Sequence, residues 1–219
     1  MKKRLLVIAA LVTLIMPAIC SATPPRPGAY VSGFAGISIP SDTDVTTSIF
    51  PDTFNERMEF DTGVYAGGTG GFDFGFFRLE GELSYRYSEI NTITDQDSGI
   101  QFPNVDGNLG VFAMMANAYI DLHNASPITP YVGGGIGFAV LNLSDTFGGG
   151  GLLYEENDDT VFAYQVGAGL EIALNPRISL DVGYRYFGTD TARFESGITG
   201  TTELKFVSHN ALVGVRVKF

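Results

Sequence analysis

The sequence predicts an all-β fold, an eight-stranded antiparallel up-and-down transmembrane barrel, and three observations predict it. The first is the stretch from Phe77 to Tyr87. Side chains alternate across a strand with period two. One face here carries Phe77, Leu79, Gly81, Leu83, Tyr85 and Tyr87, and the other carries Arg78, Glu80, Glu82, Ser84 and Arg86. A soluble sheet would turn those charges to water; a barrel in lipid would turn them into its lumen. The second observation is internal repetition. Arg177, Asp181, Tyr184, Arg185 and Tyr186 repeat Arg78, Glu82, Tyr85, Arg86 and Tyr87 position for position, and the run Tyr30 to Ile39 aligns with Tyr131 to Val140, so the chain reads as two half-barrels in tandem. The third is the spacing of the connections, which alternate strictly between long and short.

The elements follow in order. Lys2, Lys3 and Arg4, the apolar run Leu5 to Met16, and Pro17 with small residues up to Ala22 read as a secretory signal over 1–22. The apolar run is too short to span a bilayer as a helix, which takes about 20 residues. Residues 23–219 then form one barrel domain, and the 45% hydrophobic and 17% charged content of the full sequence suits a folded chain. Eight extended stretches are expected near 29–39, 59–72, 77–87, 108–122, 129–141, 161–173, 178–187 and 203–219, each long enough for a tilted membrane strand of about 9–11 residues. The connections 40–58, 88–107, 142–160 and 188–202 are long, whereas 73–76, 123–128 and 174–177 are short, the pattern of outer loops and periplasmic turns. No other apolar run is long enough for a membrane helix, so a span here has to be a closed barrel.

Face by face, most strands offer an inward polar phase, the second more weakly than the rest. Glu59 and Asp61 are expected inward on the second strand, Asn117, Tyr119 and Asp121 on the fourth, Gln165 and Glu171 on the sixth, Asp181 and Arg185 on the seventh, and Asn210 and Arg216 on the eighth. Energetics set the orientation. An arginine on the lipid face at mid-membrane costs about 2–4 kcal/mol, so reversing the strands that carry Arg78, Arg86, Arg185 and Arg216 costs about 8–16 kcal/mol. Inside an eight-stranded barrel the arginines can pair with Glu80, Glu82, Asp121, Glu171 and Asp181, and one connected lumen network is expected. Tyr85, Tyr87, Tyr184 and Tyr186 lie at the outer ends of their strands, where an aromatic girdle meets the headgroups.

Charge divides along the same line. The chain carries 24 acidic side chains, and the four long connections hold 15 of them with only Arg57 and Arg193 for counter-charge, which confines the negative charge to one pole. Without a basic patch, no nucleic-acid partner is expected.

Phe77 to Arg86, Asn117 to Asp121, Pro130 to Gly137 and the closing Ala211-Leu-Val-Gly-Val-Arg-Val-Lys-Phe219 resemble the eight-stranded outer-membrane barrels of the opacity-protein and OmpA-like type. The resemblance spans nearly all of 23–219. It implies a bacterial outer-membrane location among outer-membrane lipid and lipopolysaccharide. Phe219 would serve as the signal for the barrel-insertion machinery, and the role would be one of adhesion, host or surface interaction, or envelope integrity, with an unidentified extracellular ligand. No peptidoglycan-binding domain follows Phe219, which weighs against envelope tethering.

Two other functions compete with a non-enzymatic surface barrel. One is a narrow ion path through the charged lumen. The other is an outer-leaflet lipid hydrolase, which needs a nucleophile, base and orienting acid in reach of one another. The two histidines, His123 in a short turn and His209 beside an opposite-facing Ser208, make a poor start for that chemistry. Glu155, Glu156, Asp158 and Asp159 lack the spacing and turn glycine of a calcium loop. Neither a metal nor a cofactor is expected.

Overall fold

The computed structural model describes residues 27–49, 52–122, 126–148, 151–154, 156–196 and 200–219; the signal segment 1–22, His123 and Glu155 lie outside the described residues. Among the described residues every regular element is a β-strand, and no helix is long and apolar enough to cross a membrane. Eight strands close the barrel: β1 (Gly28–Pro40), β4 (Gly63–Asp73), β5 (Phe77–Asp95), β7 (Asn108–Asp121), β8 (Ile128–Leu143), β11 (Asn157–Ala173), β12 (Ile178–Ser196) and β13 (Gly200–Lys218). Each pairs antiparallel with its neighbour in that order, and β13 returns to β1 from Tyr30↔Lys218 to Pro40↔Ser208. Closure gives every backbone group in lipid a partner.

The short turns are made by side chains that take over backbone donors. Asp73 Oδ1 accepts the Gly75 amide at 2.7 Å, and Gly75 has φ +97°, a conformation that suits glycine. In the turn before β12, Asn175 Oδ1 accepts the amides of Arg177 and Ile178, each at 2.9 Å.

At the other pole the structure departs from the expected loops. β5 and β12 run well past the expected strand ends, β11 and β13 by only a few residues, and residues inside 40–58 form a hairpin of β2 (Thr43–Ile49) and β3 (Asp52–Phe60). That hairpin extends the barrel wall. β1 stops at Pro40, which frees the upper edge of β13, and β2 takes it over from Val45↔Leu204 outward. β4 starts only at Gly63, so β5 above Tyr87 pairs with β3 instead, beginning at Phe60↔Ile90. Three short strands complete the pole: β6 (Gln101–Pro103) on β5, and β9 (Thr146–Gly148) paired with β10 (Gly151–Tyr154).

The expected second strand, 59–72, is therefore two elements separated at Asp61 and Thr62. The break resets the alternation. Met58 is buried and Glu59 lies on the other face, Asp61 is exposed, and the inward positions of β4 are Tyr65, Thr69 and Asp73. Glu59 and Asp61 are thus not lumen residues.

Candidate functional site

The barrel interior has two layers of opposite chemistry. The periplasmic layer is charged. Arg78 Nε lies 2.8 Å from Asp121 Oδ2, and Arg78 Nη1 lies 3.8 Å from Glu171. Glu171 also pairs with Arg216, and Arg216 reaches Asp181 at 3.5 Å. Lys218 joins Asp73 at 2.8 Å and Glu171 at 3.5 Å, so the last strand is tied across the lumen to β4 and β11. Tyr131 donates to Asp181 at 2.7 Å.

One storey further out, Glu82 is the hub. It pairs with Arg185 and accepts hydrogen bonds from Tyr65 at 3.0 Å, Asn117 at 3.0 Å and Gln165 at 2.9 Å. Arg185 also lies 3.8 Å from Glu80, which accepts from Tyr30 at 2.7 Å. Tyr30 links the storeys, because the Arg216 guanidinium sits 4.6 Å from its ring centre. Small residues make the room: a Cβ at Gly71 would fall 2.9 Å from the Tyr30 hydroxyl, and one at Gly183 would fall 2.7 Å from the Tyr131 hydroxyl.

Arg86 departs from the expected network. It is fully buried, yet among the described residues it has no carboxylate within 4.0 Å. Its Nη1 donates to Ser84 at 3.2 Å, and its guanidinium lies 3.8 Å from the Phe187 ring centre and 4.4 Å from that of Tyr65. The reason is competition, since both oxygens of Glu82 are already engaged from β4, β7, β11 and β12. Asp73 and Lys218 are the lumen charges that sequence reasoning left out. Both lie at strand ends, where alternation is short of neighbours to establish a phase.

From the level of Arg86 outward the interior turns mainly apolar. One buried cluster runs from Ala113 and Met115, the register partners of Ser84 and Glu82, through Leu141, Phe187, Leu204 and Phe206 to Val45, Met58 and Ile93 in the extended wall. Nothing in the charged stretches announces this layer. It follows from the same alternation once the outward residues meet water instead of lipid.

The four tyrosines of the expected girdle project outward, Tyr85 and Tyr184 exposed, Tyr87 and Tyr186 half-buried. Phe219 is 82% exposed on the outer face, and its amide donates to Ala29 at 3.0 Å. A phenylalanine group unnoticed in the sequence, Phe72, Phe74 and Phe77, stacks around the turn between β4 and β5, with ring centres 4.8 and 4.6 Å apart.

The outward faces carry Val31, Leu79, Leu83, Met114, Ile136, Phe138, Val166 and Val213, all exposed, around a closed and charged interior. The model of the outer membrane protein β-barrel domain matches residues 6–219. The chain belongs to that family. This outer-membrane barrel is 29% identical over 184 residues to the outer membrane protein PagN of Salmonella typhimurium, covering 74% of each chain. Its fold is similar to that of Neisserial surface protein A, with a TM-score of 0.52 at 21% identity over 88% of this chain and 97% of the other. It is similar also to the outer membrane protein OprG of Pseudomonas aeruginosa, with a TM-score of 0.59 at 13% identity over 91% of this chain and all of the other.

Outside the membrane-spanning part, the extended wall carries its own titratable contact. Tyr154 of β10 donates to Glu56 of β3, and burial pushes the Glu56 carboxyl above its ordinary value, an effect the tyrosine bond only partly offsets. A carboxyl raised on folding contributes stability that is present below its unfolded pKa and lost as pH rises through the folded one. The wall near β3 and β10 is therefore expected to resist protease better at mildly acidic than at neutral pH. Glu56→Gln, which keeps the acceptor and removes the charge, should hold the acid-level resistance at neutral pH. Asp95 acts in the opposite sense, its carboxyl lowered by the amides of Ser98 and Asp97, each at 2.9 Å. A Glu56→Gln digestion profile that still tracks pH as the wild type does would assign the dependence to other groups.

Proposed function

We propose that the protein is a non-enzymatic surface barrel that presents a stiff acidic platform to a positively charged partner outside the cell, in adhesion or another surface contact. The observation that carries this reading is the placement of charge: 15 of the 24 acidic side chains fall in the four segments at one pole. Much of that pole is strand with an apolar core, which keeps the carboxylates in place without ordering on contact. A field of one sign steers an oppositely charged partner and is screened by salt.

Cells displaying the wild type are expected to adhere to amine-coated beads. Adhesion should fall with rising salt, and fall further when Asp145, Glu156, Asp158 and Asp159 are changed to their amides. Equal adhesion of the two proteins at low salt would count against the platform.

The ion-path reading is opposed by the apolar layer above Arg86. The hydrolase reading is opposed by the arrangement at His209, which is exposed on the outer face while Ser208 is buried on the inner one. Recognition by the insertion machinery is proposed for Phe219, which extends the outward column of Val213, Val215 and Val217 to the end of the chain. Removing Phe219 should lower the yield of heat-modifiable barrel in the outer membrane several-fold, while removing Gly149 and Gly150 should leave it unchanged; equal yields would set that role aside.

A further inference from the structure

The outward column of β13 changes character in steps. Val217, Val215, Val213 and Ala211 face lipid, His209 follows, and Lys205 stands beyond Val207 on the same face. Ten residues separate Phe219 from His209; at about 3.3 Å per residue and a tilt of about 40° this rises about 25 Å, the height of the apolar band. His209 is thus at the outer boundary of the hydrocarbon. Lys205, four residues further, stands about 10 Å beyond it, and a lysine stem can cover much of that distance back toward the membrane.

His209 is set in an aromatic group. Tyr186 is its register partner across β12, with ring centres 5.5 Å apart, and the Tyr184 hydroxyl lies 2.6 Å from His209 Nδ1. Tyr164 extends the group, 6.4 Å from Tyr186. In the tautomer in which the Tyr184 phenol donates to Nδ1, the neutral imidazole carries its proton on Nε2 and is a donor there. Lys205 is distinguished by having no ion-pair partner among the described residues. Among the described residues Arg57 is paired with Asp42 at 3.0 Å and Arg193 with Glu203 at 2.9 Å, whereas Lys205 makes no ion pair and is exposed. An acidic pole therefore keeps one unneutralised cation, on the lipid-facing side, directly above an interfacial aromatic group.

We infer that Lys205, with the Nε2 donor of His209, forms a site on the outer face of β12 and β13 for the phosphate of an outer-leaflet lipid headgroup, the acyl chains lying along the valine column below. The chemistry fits at each level: a cation and a donor where the phosphate sits, aromatic rings at the headgroup boundary, and aliphatic side chains in the hydrocarbon. This inference concerns the barrel's lipid side and is independent of the extracellular partner, so bead adhesion and lipid retention can fail separately.

The test uses the full barrel in neutral phosphatidylcholine vesicles doped with a phosphorylated glycolipid, or with the same glycolipid enzymatically dephosphorylated. The lipid retained after detergent extraction is read by native mass spectrometry. The wild type should retain the phosphorylated form selectively. Lys205→Glu should lower retention about tenfold or more, a difference of about 1.4 kcal/mol, and Lys205→Arg should keep it. His209→Ala should give an intermediate loss, and heat-modifiable migration checks that each variant is folded. Equal retention of the dephosphorylated glycolipid, or unchanged retention by folded Lys205→Glu, overturns the site. Displacement of the glycolipid by millimolar inorganic phosphate also overturns it, because the site would then be one for free anions.

Discussion

Replacing Arg185 by leucine is expected to lower unfolding stability by about 3–5 kcal/mol, because it leaves buried carboxylates without their counter-charge. Arg185 is the cation of the upper storey: it pairs with Glu82, lies 3.8 Å from Glu80, and donates to the Tyr65 hydroxyl at 3.1 Å. The other donors to Glu82, from Tyr65, Asn117 and Gln165, are neutral and cannot take over its charge. Pairing Arg185→Leu with Glu82→Gln removes that charge and keeps one carbonyl acceptor, enough for the Asn117 and Gln165 amides that share one Glu82 oxygen, so the double variant should recover part of the loss. Urea titration of the barrel in lipid vesicles, with the four proteins of the cycle compared, measures the coupling directly. Additive losses, with no recovery in the double variant, would show that the two side chains do not act as a pair.

The membrane-spanning part of the molecule is legible in the sequence because lipid imposes a strict rule. On β5 the outward residues Leu79, Leu83 and Tyr85 alternate with the inward Arg78, Glu80 and Glu82. Above the membrane the rule reverses. On the same strand Glu89 and Asn91 are exposed, while Ile90 and Ile93 are buried. On β13 Lys205 faces outward and Leu204 and Phe206 inward. A reading tuned to polar-inside strands sees these segments as loops, although they bury apolar side chains as an ordinary soluble sheet does, with register shifts between Glu59 and Phe60 and between Gly188 and Thr191. The inversion also marks the boundary of the bilayer. The hairpin of β2 and β3 is less legible still, because it takes over edges that only the ends of β1 at Pro40 and β4 at Gly63 leave free.

Alternation alone treats Arg86 and Arg185 as equivalents, related by the internal repeat, whereas the structure separates them and predicts opposite responses. Arg185 answers buried carboxylates. Arg86 is as deeply buried, but among the described residues it has one hydrogen bond, to Ser84, and the faces of Phe187 and Tyr65. Contacts of that kind are worth about 0.5–2 kcal/mol each, against an effective desolvation cost of several kcal/mol for a buried ion. Methionine has a similar length, needs no partner, and would extend the apolar layer that begins with Phe187 and Met115. Arg86→Met is therefore expected to raise unfolding stability, by about 1–4 kcal/mol, as replacing buried charge with well-packed apolar side chains does elsewhere. The midpoint of urea unfolding in the same vesicles decides it. A midpoint lowered as far as that of Arg185→Leu would mean that Arg86 compensates Glu82 across the gap, and that the charged layer extends one storey further out than its ion pairs.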